Sequence, residues 1–480
     1  MLRLLREKFA ARLVTALVVL AALLATAFLA PAQTRLAASA PKYVFFFLAD
    51  GAGIAHLEIA RQYIRQVHNE DFAIVDKIMK DGSVGIMTTA AADSLSTDSA
   101  AAATALAGGC KANIGALGVC ADGTPALSAM ELARRRGMRL GLVTNAAVYD
   151  ASPAAFVCHV ANRRDHAAIV NRYLELEPYV LMGGGKDQFL PKGRTGSQRT
   201  DETDMVDAFE KKGYRYSSNK PDLERAASGK TLGLFSLRDM SFELDRDKNN
   251  EPSVYDMARA AIKLLHDRNP NGFFAFIESE NIDSASHLSD IASVIQDYRE
   301  FDRAVGLAYE FYRKYPRDTL IIVTSDHETG GLGFTLALKN LTSTKGNNQM
   351  TATGADFKRI QSVVISLRKA SQILGRNPTP ETVDKLMQDY FPGFTLAPEY
   401  KEAIVKRRPL SRTLFADSTA QALGMMVANN TQAYWQTSAH TNQPVLVAAL
   451  GIGAERFRGY YDNADFGKKL KTLIEGKSQR

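Results

Sequence analysis

Three apolar runs of this sequence end in a carboxylate. The runs are YVFFFLAD, GFFAFIE and TLIIVTSD, and the acids that end them are Asp50, Glu278 and Asp326. If the runs are parallel strands of one sheet, their carboxyl ends meet at one edge, where the ligands of open α/β sheets bind. Carboxylates that are crowded together away from water repel one another unless a cation compensates them. The three acids therefore predict a metal site.

Histidines accompany these acids. His327 directly follows the last of them, and Asp283 and His287 are spaced by four, which places both on one side of a helical turn. His440 stands just before the last apolar run. Aspartate and histidine together suit zinc, whereas a set of oxygen ligands alone suits magnesium. The remaining histidines lie in helical patterns and are expected to be structural; they are His56, His68, His159, His166 and His266.

The stretch LSTDSAAAATALAGG contains a candidate nucleophile. Asp98 can cap a helix that begins at Ser99, and the alanines favour such a helix. A hydroxyl at this position lies where exposed N–H groups and the helix dipole attract an anion. Serine is a weak nucleophile unless a base or a metal activates it. The stretch is therefore either only a capped, tightly packed helix or one that also presents Ser99 for attack.

The elements that must position these residues alternate along the chain. Helical patterns such as 54–67 and 255–266 separate the short apolar runs. This alternation predicts a doubly wound α/β fold with a mostly parallel central sheet and helices on both faces. The predicted strands are residues 43–50, 140–144, 179–185, 272–278, 319–326 and 444–451.

The segment from about 335 to 425 departs from this alternation because it lacks a β-type run. Apolar residues recur there at helical spacing, at Phe357, Ile360, Val364 and Leu367. Thr379 followed by Pro380 is a helix-start signal. We predict a mostly helical insertion within one domain that extends over 41–480.

The N-terminus has the layout of a secretory signal peptide over residues 1–32. A basic segment precedes the apolar run 13–29, and a small-residue cleavage motif ends at Ala32. A second motif ends at Ala40, so we expect cleavage after one of these two alanines. The apolar run is near the lower length limit of a membrane span, and an uncleaved anchor is the alternative. We expect a soluble protein that is exported, periplasmic or extracellular, with no stable membrane insertion after cleavage.

The cysteines fit an oxidising compartment. Cys110 and Cys120 flank a glycine-rich loop short enough to close as a disulfide, and Cys158 lies in an apolar segment that predicts a buried thiol.

The charge balance argues against nucleic acid as a partner. The net charge is +7, and the first twelve residues contribute part of it. The remaining excess is mild, and aromatic and basic residues are not interleaved as in nucleic-acid-binding chains.

Six motifs make the chain resemble the alkaline phosphatases. They are ADGAG, TDSAAAATALAGG, DASPAAFVCHVANRR, ESENIDSASH, SDHETGG and AHTNQP, and they extend from about residue 43 to 465. One such motif alone is weak evidence, whereas six in the family's order are specific. The resemblance implies a catalytic domain over 41–480 that hydrolyses small phosphate monoesters through a phosphoserine intermediate. Dimers are common in the family, so a homodimer is compatible with the resemblance.

The resemblance also implies a role for each site residue. It assigns Asp50, Asp326 and His327 to a zinc ion beside the nucleophile Ser99. It assigns Asp283, His287 and His440 to a second zinc ion. It assigns Asp50, Ser152 and Glu278 to a magnesium ion. Zinc would replace a general base by stabilising the serine alkoxide. Arg163 would hold two phosphate oxygens, with Arg164 as the neighbouring alternative, and Asp98 would hold that arginine.

Two positions depart from the family pattern. Ser152 stands where threonine is frequent, and Ser284 stands where lysine, histidine or tryptophan is frequent. Together with Asp150, Ser284 is expected to influence the metal preference of the third site and the affinity for phosphate. We therefore expect Ser284 to face the bound phosphate.

A phosphodiesterase or sulfatase of the same superfamily is the alternative enzyme. Sulfatases carry a C/S-x-P-x-R motif, whereas four alanines follow Ser99 here. Diesterases of this group typically use threonine as the nucleophile and lack the phosphate-binding arginine. A non-catalytic phosphate-binding protein is the alternative from another class, although such proteins usually lose metal ligands.

Overall fold

The computed structural model describes residues 40–338, 349–410 and 417–476. The predicted signal segment, residues 1–32, lies outside these residues and stays a prediction. In the described part of the chain, no helix combines the length and the apolar character needed to cross a membrane.

A ten-stranded sheet organises the chain. The described strands are β1 (Tyr43–Ala49), β2 (Ser83–Thr88), β3 (Arg139–Ala147), β4 (Val180–Gly184), β5 (Arg215–Ser217), β6 (Thr231–Leu234), β7 (Phe273–Ser279), β8 (Thr319–Thr324), β9 (Glu328–Thr329), β10 (Gly333–Phe334), β11 (Leu336–Leu338), β12 (Gln349–Thr351), β13 (Ala433–Tyr434), β14 (His440–Thr441), β15 (Val445–Gly451) and β16 (Gly459–Asp462). The strand order in the large sheet is β16-β2-β15-β8-β1-β7-β3-β4-β6-β5.

The large sheet is mostly parallel, as the sequence predicts. The exception is β15, which pairs antiparallel with both β2 and β8. The expectation that residues 444–451 form a parallel strand is therefore wrong in direction, although the strand exists. The central strands β8, β1 and β7 are parallel neighbours. Their carboxyl ends consequently lie at one edge, where the three predicted acids meet.

The sheet is covered on both faces, which explains the uninterrupted apolar runs. Every residue of β1 is buried, and successive side chains of a strand point to opposite faces. Phe45 contacts Phe311 on one face, with ring centroids 5.3 Å apart, and Phe46 contacts Phe156 on the other at 5.1 Å. A strand buried on both sides needs apolar residues at every position.

Helices form the two outer layers. The described α-helices are Ile54–Tyr63, Ser99–Gly108, Ala129–Arg135, Ala151–Ala155, His166–Leu176, Met205–Lys211, Lys220–Glu224, Val254–His266, Asn281–His287, Ile291–Lys314, Gly354–Gln361, Leu367–Leu374, Pro380–Tyr390, Pro398–Val405, Ser418–Thr431 and Asn463–Glu475. The predicted helix over 255–266 is confirmed. The one predicted over 54–67 ends as an α-helix at Tyr63 and continues as a π-helical turn, Ile64–His68.

Between Leu336 and Thr431 the described residues form helices and the short strands β11 and β12, which lie outside the large sheet. The periodic residue Val364 is 57% exposed, contrary to its apolar spacing. It lies between two helices, because a new helix begins after Ser366. The Ser366 hydroxyl caps that helix by accepting the N–H of Lys369 at 2.9 Å. Thr379 caps the helix Pro380–Tyr390, as its helix-start signal predicts.

The predicted disulfide joins Cys110 to Cys120, and Cys158 is a buried free thiol. The loop that the disulfide closes is tied to the helix Ser99–Gly108, since the N–H of Gly118 donates to the Thr104 hydroxyl at 2.8 Å. The disulfide therefore stabilises a loop that packs on the candidate nucleophile's helix.

Candidate active site

Asp50, Asp326 and His327 converge at the carboxyl edge of β1 and β8. The Nε2 atom of His327 lies 3.6 Å from Oδ1 of Asp50 and 3.2 Å from Oδ2 of Asp326. The Ser99 hydroxyl oxygen lies 3.3 Å from the same nitrogen. Three side chains rich in lone pairs thus surround one nitrogen, an arrangement that a bound cation would satisfy.

Two carboxylate oxygens face this point. Among the described residues, Oδ1 of Asp50 and Oδ2 of Asp326 are buried without a hydrogen-bond partner. Burial, followed by the charge of Asp283, raises the pKa of Asp326 to about 7. Two buried carboxylates with unused lone pairs next to an imidazole have the donor set of a zinc site, and the three ligand atoms lie within 4.8 Å of one another.

A second group comprises Asp283, His287 and His440. Oδ2 of Asp283 lies 3.0 Å from Nε2 of His287, as expected from their spacing of four on the helix Asn281–His287. The Nε2 atoms of the two histidines are 3.1 Å apart. Their Nδ1 atoms bond to backbone carbonyls, that of His287 to Ser438 at 2.6 Å and that of His440 to Thr97 at 2.8 Å. Nδ1–H donation to a carbonyl leaves the Nε2 lone pair available to a metal.

The two groups share a boundary at His327. Its ring stacks on that of His440, with centroids 3.6 Å apart. One ligand atom each of Asp283, His327 and His440 also lie within 4.8 Å of one another. Two sets of ligand atoms of the kind that can hold a metal ion therefore meet at His327.

A third group consists of oxygen ligands only. The Ser152 hydroxyl donates to Oδ2 of Asp50 at 3.1 Å, and the Thr144 hydroxyl donates to Oε2 of Glu278 at 2.6 Å. The other oxygen of Glu278, Oε1, is buried without a hydrogen-bond partner among the described residues. Burial, then the charge of Asp150, raises the pKa of Glu278 well above its usual range. An oxygen-only set of this kind suits magnesium.

Ser99 begins a fully buried helix, and its local geometry follows from the sequence. Asp98 is the N-cap, since its Oδ1 accepts the N–H of Ala101 at 3.0 Å. Gly467 of the last helix packs against the alanine face so closely that a Cβ there would overlap the carbonyl oxygen of Ala105. Both interpretations of the stretch thus hold structurally, because the helix is capped and tightly packed and its first residue also faces His327.

Arg163 is the arginine that the fold turns toward Ser99. Its guanidinium donates to Oδ2 of Asp98 at 3.2 Å and to Oδ1 of Asp150 at 3.1 Å. Arg164 is exposed instead. The two carboxylates hold the guanidinium of Arg163 in one orientation beside Asp98, the residue before Ser99.

The structure adds residues that the sequence did not single out. Thr144 bonds to Glu278, and the Thr329 hydroxyl bonds to Asp283. Glu280 accepts a hydrogen bond from the Ser284 hydroxyl at 2.8 Å. Ser284 is thereby engaged by a neighbouring carboxylate, whereas the sequence assigned it to the bound phosphate. The sequence did not indicate a role for Glu280, because the ligands predicted in the motif ESENIDSASH are Glu278, Asp283 and His287.

The histidines expected to be structural have partners outside the three groups. The ring of His56 accepts the backbone N–H of Gly53 at 3.2 Å, and burial lowers its pKa to about 4. His159 contacts Gly118 and Glu131 from a loop, not from the helix that its surroundings suggested. His166 stacks on Tyr149, with centroids 4.5 Å apart.

Comparison with known proteins agrees with the geometry. The profile described as "Alkaline phosphatase" matches residues 41–475. Repressible alkaline phosphatase of Saccharomyces cerevisiae is 29% identical over 98% of this chain and 88% of the yeast protein. Alkaline phosphatase 4 of Bacillus subtilis is 31% identical over 79% of this chain and 77% of its own length. The crystal structure of Thermus thermophilus alkaline phosphatase matches with a TM-score of 0.81 and 25% identity, covering 94% of this chain and 96% of that one.

The fold and these matches define a phosphatase of the metal-dependent class. The chain belongs to the alkaline phosphatase family, as its six motifs indicate, and is an enzyme of that family.

Proposed function

We propose that this enzyme is exported and hydrolyses small phosphate monoesters through a phosphoserine intermediate on Ser99. The observation that carries the proposal is the 3.3 Å approach of the Ser99 hydroxyl to Nε2 of His327, inside a buried group of carboxylates. Export is proposed from the N-terminal signal layout and from the Cys110–Cys120 disulfide.

Two zinc ions and one magnesium ion are the cofactors that the ligand sets favour. The first zinc ion would be held by Asp50, Asp326, His327 and the Ser99 oxygen, the second by Asp283, His287 and His440, and magnesium by Asp50, Ser152 and Glu278. Zinc bound there supplies a Lewis acid that makes a hydroxyl or a water more acidic, and magnesium adds positive charge beside it.

His327 is better suited to be a ligand than to be the general base for Ser99. Burial, followed by the neighbouring His440, lowers its pKa well below the usual range, and an imidazole of low pKa accepts a proton poorly. Its Nε2 also lies beside two carboxylates, as expected for a nitrogen that would share a cation with them.

Separate residues of the chain bind the phosphate and attack it. Arg163 binds two oxygens of the phosphate, and Asp98 and Asp150 keep its guanidinium in place. The Ser99 hydroxyl releases its proton to solvent as its oxygen bonds to phosphorus. The bond to the departing alcohol breaks in the same step, and the alcohol oxygen takes up a proton from solvent. A water then attacks the phosphoserine, which restores the Ser99 hydroxyl and releases inorganic phosphate.

The alternative functions predict other kinetics. A phosphodiesterase would prefer bis(p-nitrophenyl) phosphate to p-nitrophenyl phosphate, and a non-catalytic binding protein would hydrolyse neither. Arg163 favours the monoesterase, because a monoester presents more unesterified oxygens to a two-armed group than a diester does.

The test combines both substrates with elemental analysis of the purified protein at pH 8–10. We expect about two zinc ions and one magnesium ion per chain and a clear preference for the monoester. A preference for the diester, or a metal-free protein that is fully active, would overturn the proposal.

A further inference from the structure

Glu280 is a shielded carboxylate that none of the three ligand groups uses. It stands between β7 and the helix Asn281–His287, directly after the strand that carries Glu278. Its backbone N–H donates to Oδ1 of Asn145 at 2.7 Å, and its Oε1 accepts the Ser284 hydroxyl at 2.8 Å. Its Oε2 is shielded from solvent and, within the described residues, has no hydrogen-bond partner.

The surroundings of Glu280 are acidic. Burial, then the charges of Asp239, Asp150 and Asp283, raise its pKa well above the usual range. Consecutive residues of β3 hold both glutamates, because the Thr144 hydroxyl donates to Glu278 and Oδ1 of Asn145 accepts the backbone N–H of Glu280. Glu280 is therefore held beside the oxygen-only group.

Two unused oxygens point to a ligand near this group. In the part of the chain that the structure describes, Oε1 of the fully buried Glu278 and Oε2 of Glu280 have no hydrogen-bond partner. An ionised oxygen without a donor is costly to bury. Magnesium keeps several of its waters when it binds to protein carboxylates, and such waters are donors that an unused carboxylate oxygen can accept.

We propose that Glu280 belongs to the third metal site as the carboxylate that receives hydrogen bonds from metal-bound water, and that it strengthens magnesium binding there. This inference rests on the proposed function. Ser284 and Asn145 position Glu280. This role explains why serine replaces the lysine, histidine or tryptophan that is frequent at position 284 in the family. A serine hydroxyl can orient the Glu280 carboxylate, whereas a lysine ammonium would compete with the metal for it.

The test uses the full chain, stripped of metal and then loaded with two equivalents of zinc before titration with magnesium in a calorimeter. Glu280→Gln retains the shape and removes the charge, so we expect magnesium to bind about tenfold more weakly with both zinc ions retained. Ser284→Ala, which frees Oε1, should weaken magnesium by about threefold. Glu300→Gln is the matched control, because Glu300 bonds to Arg303 away from these ligands.

Thermal unfolding provides a second readout that a merely structural residue would not give. Without metal, Glu280→Gln should unfold at a higher temperature than the unmodified protein, because the buried carboxylate needs a proton or a cation and the neutral amide needs neither. Magnesium should then stabilise the variant less than it stabilises the unmodified protein.

The outcomes separate this inference from the proposed function. Unchanged magnesium affinity in Glu280→Gln, in a protein that otherwise binds zinc and magnesium, would overturn the role of Glu280 alone. Failure of the unmodified protein to bind either ion would overturn the proposed function. If Glu280→Gln does not fold, Ser284→Ala decides, and an unchanged affinity there would also overturn the inference.

Discussion

The Nε2 atoms of His287 and His440 face each other at 3.1 Å while both Nδ1 atoms bond to backbone carbonyls. Two imidazoles in this tautomer direct lone pairs at each other, which is unfavourable unless a proton or a metal ion lies near them. Burial alone would lower the pKa of His287, but Asp283 and the Ser438 carbonyl outweigh it and raise that pKa to about 9. In the metal-free protein, His287 therefore keeps a proton that zinc must displace.

This competition predicts a pH dependence of zinc binding. Below pH 9 the apparent zinc affinity of the metal-free protein should rise by up to about tenfold per pH unit, and it should level off above, because the ligand is then already deprotonated. The zinc affinity rises with pH because the pKa of His287 is raised to about 9, so zinc must displace a proton from His287 at every pH below 9. Competition with a chelator of known pH dependence measures it. His159→Gln is the control, because Glu131 also raises the pKa of His159, away from the ligands. A flat profile between pH 6 and 8 would contradict the assignment of His287.

Replacement of Ser99 should lower turnover sharply while the metals stay bound. Ser99→Ala should lower kcat for p-nitrophenyl phosphate by at least about a thousandfold, while some activity persists because activated water can attack directly. The circular dichroism spectrum should be unchanged, since Asp98 provides the helix cap. Ser96→Ala in the same loop is the control. If the loss in Ser99→Ala is below tenfold, Ser99 is not the nucleophile.

Arg163 should matter more for monoesters than for diesters. Arg163→Ala removes two charge-assisted hydrogen bonds to phosphate and leaves Asp98 and Asp150 unpaired, so kcat/KM for the monoester should fall about a hundredfold. The loss for bis(p-nitrophenyl) phosphate should be under about tenfold, because that substrate has fewer free oxygens. The exposed Arg164 supplies the control variant Arg164→Ala. Equal losses for both substrates would show that Arg163 does not distinguish a monoester.

Ser284→Lys tests the expected contact with phosphate. The neighbouring Glu280 would neutralise the new ammonium, so phosphate inhibition should change by less than about twofold in the single variant. Combined with Glu280→Gln, the same lysine should strengthen phosphate inhibition by about fivefold, or about 1 kcal/mol. Inhibition constants at saturating metal measure both effects. A single variant as strongly inhibited as the double variant would mean that Ser284 faces phosphate directly, as the sequence suggested.

The strand-end acids were predictable because strong physical constraints fix them. Strands buried on both faces must be apolar throughout, so Asp50 and Asp326 stand out where the runs end. The parallel pairing of β8, β1 and β7 then brings them together with Glu278. The spacing of four between Asp283 and His287 likewise survives in the folded chain.

Other features depend on contacts that no local pattern encodes. The reversed direction of β15 is set by its neighbours β2 and β8, since an apolar run reads the same in both directions. The stacking of His440 on His327 joins segments that are far apart in the chain. The sequence does not distinguish Glu280 from a solvated acid at a helix end; its contacts with Asn145 and Ser284 and its shielded Oε2 appear only in the folded chain.

The close fit of Gly467 against the helix Ser99–Gly108 also constrains when the enzyme can become competent. The last helix, Asn463–Glu475, is one of the layers that bury the alanine face, and β15 and β16 also come from the final forty residues. This scaffold therefore cannot close during synthesis until the ribosome has released almost the whole chain. A shorter nascent chain lacks the helix that packs on Ala105.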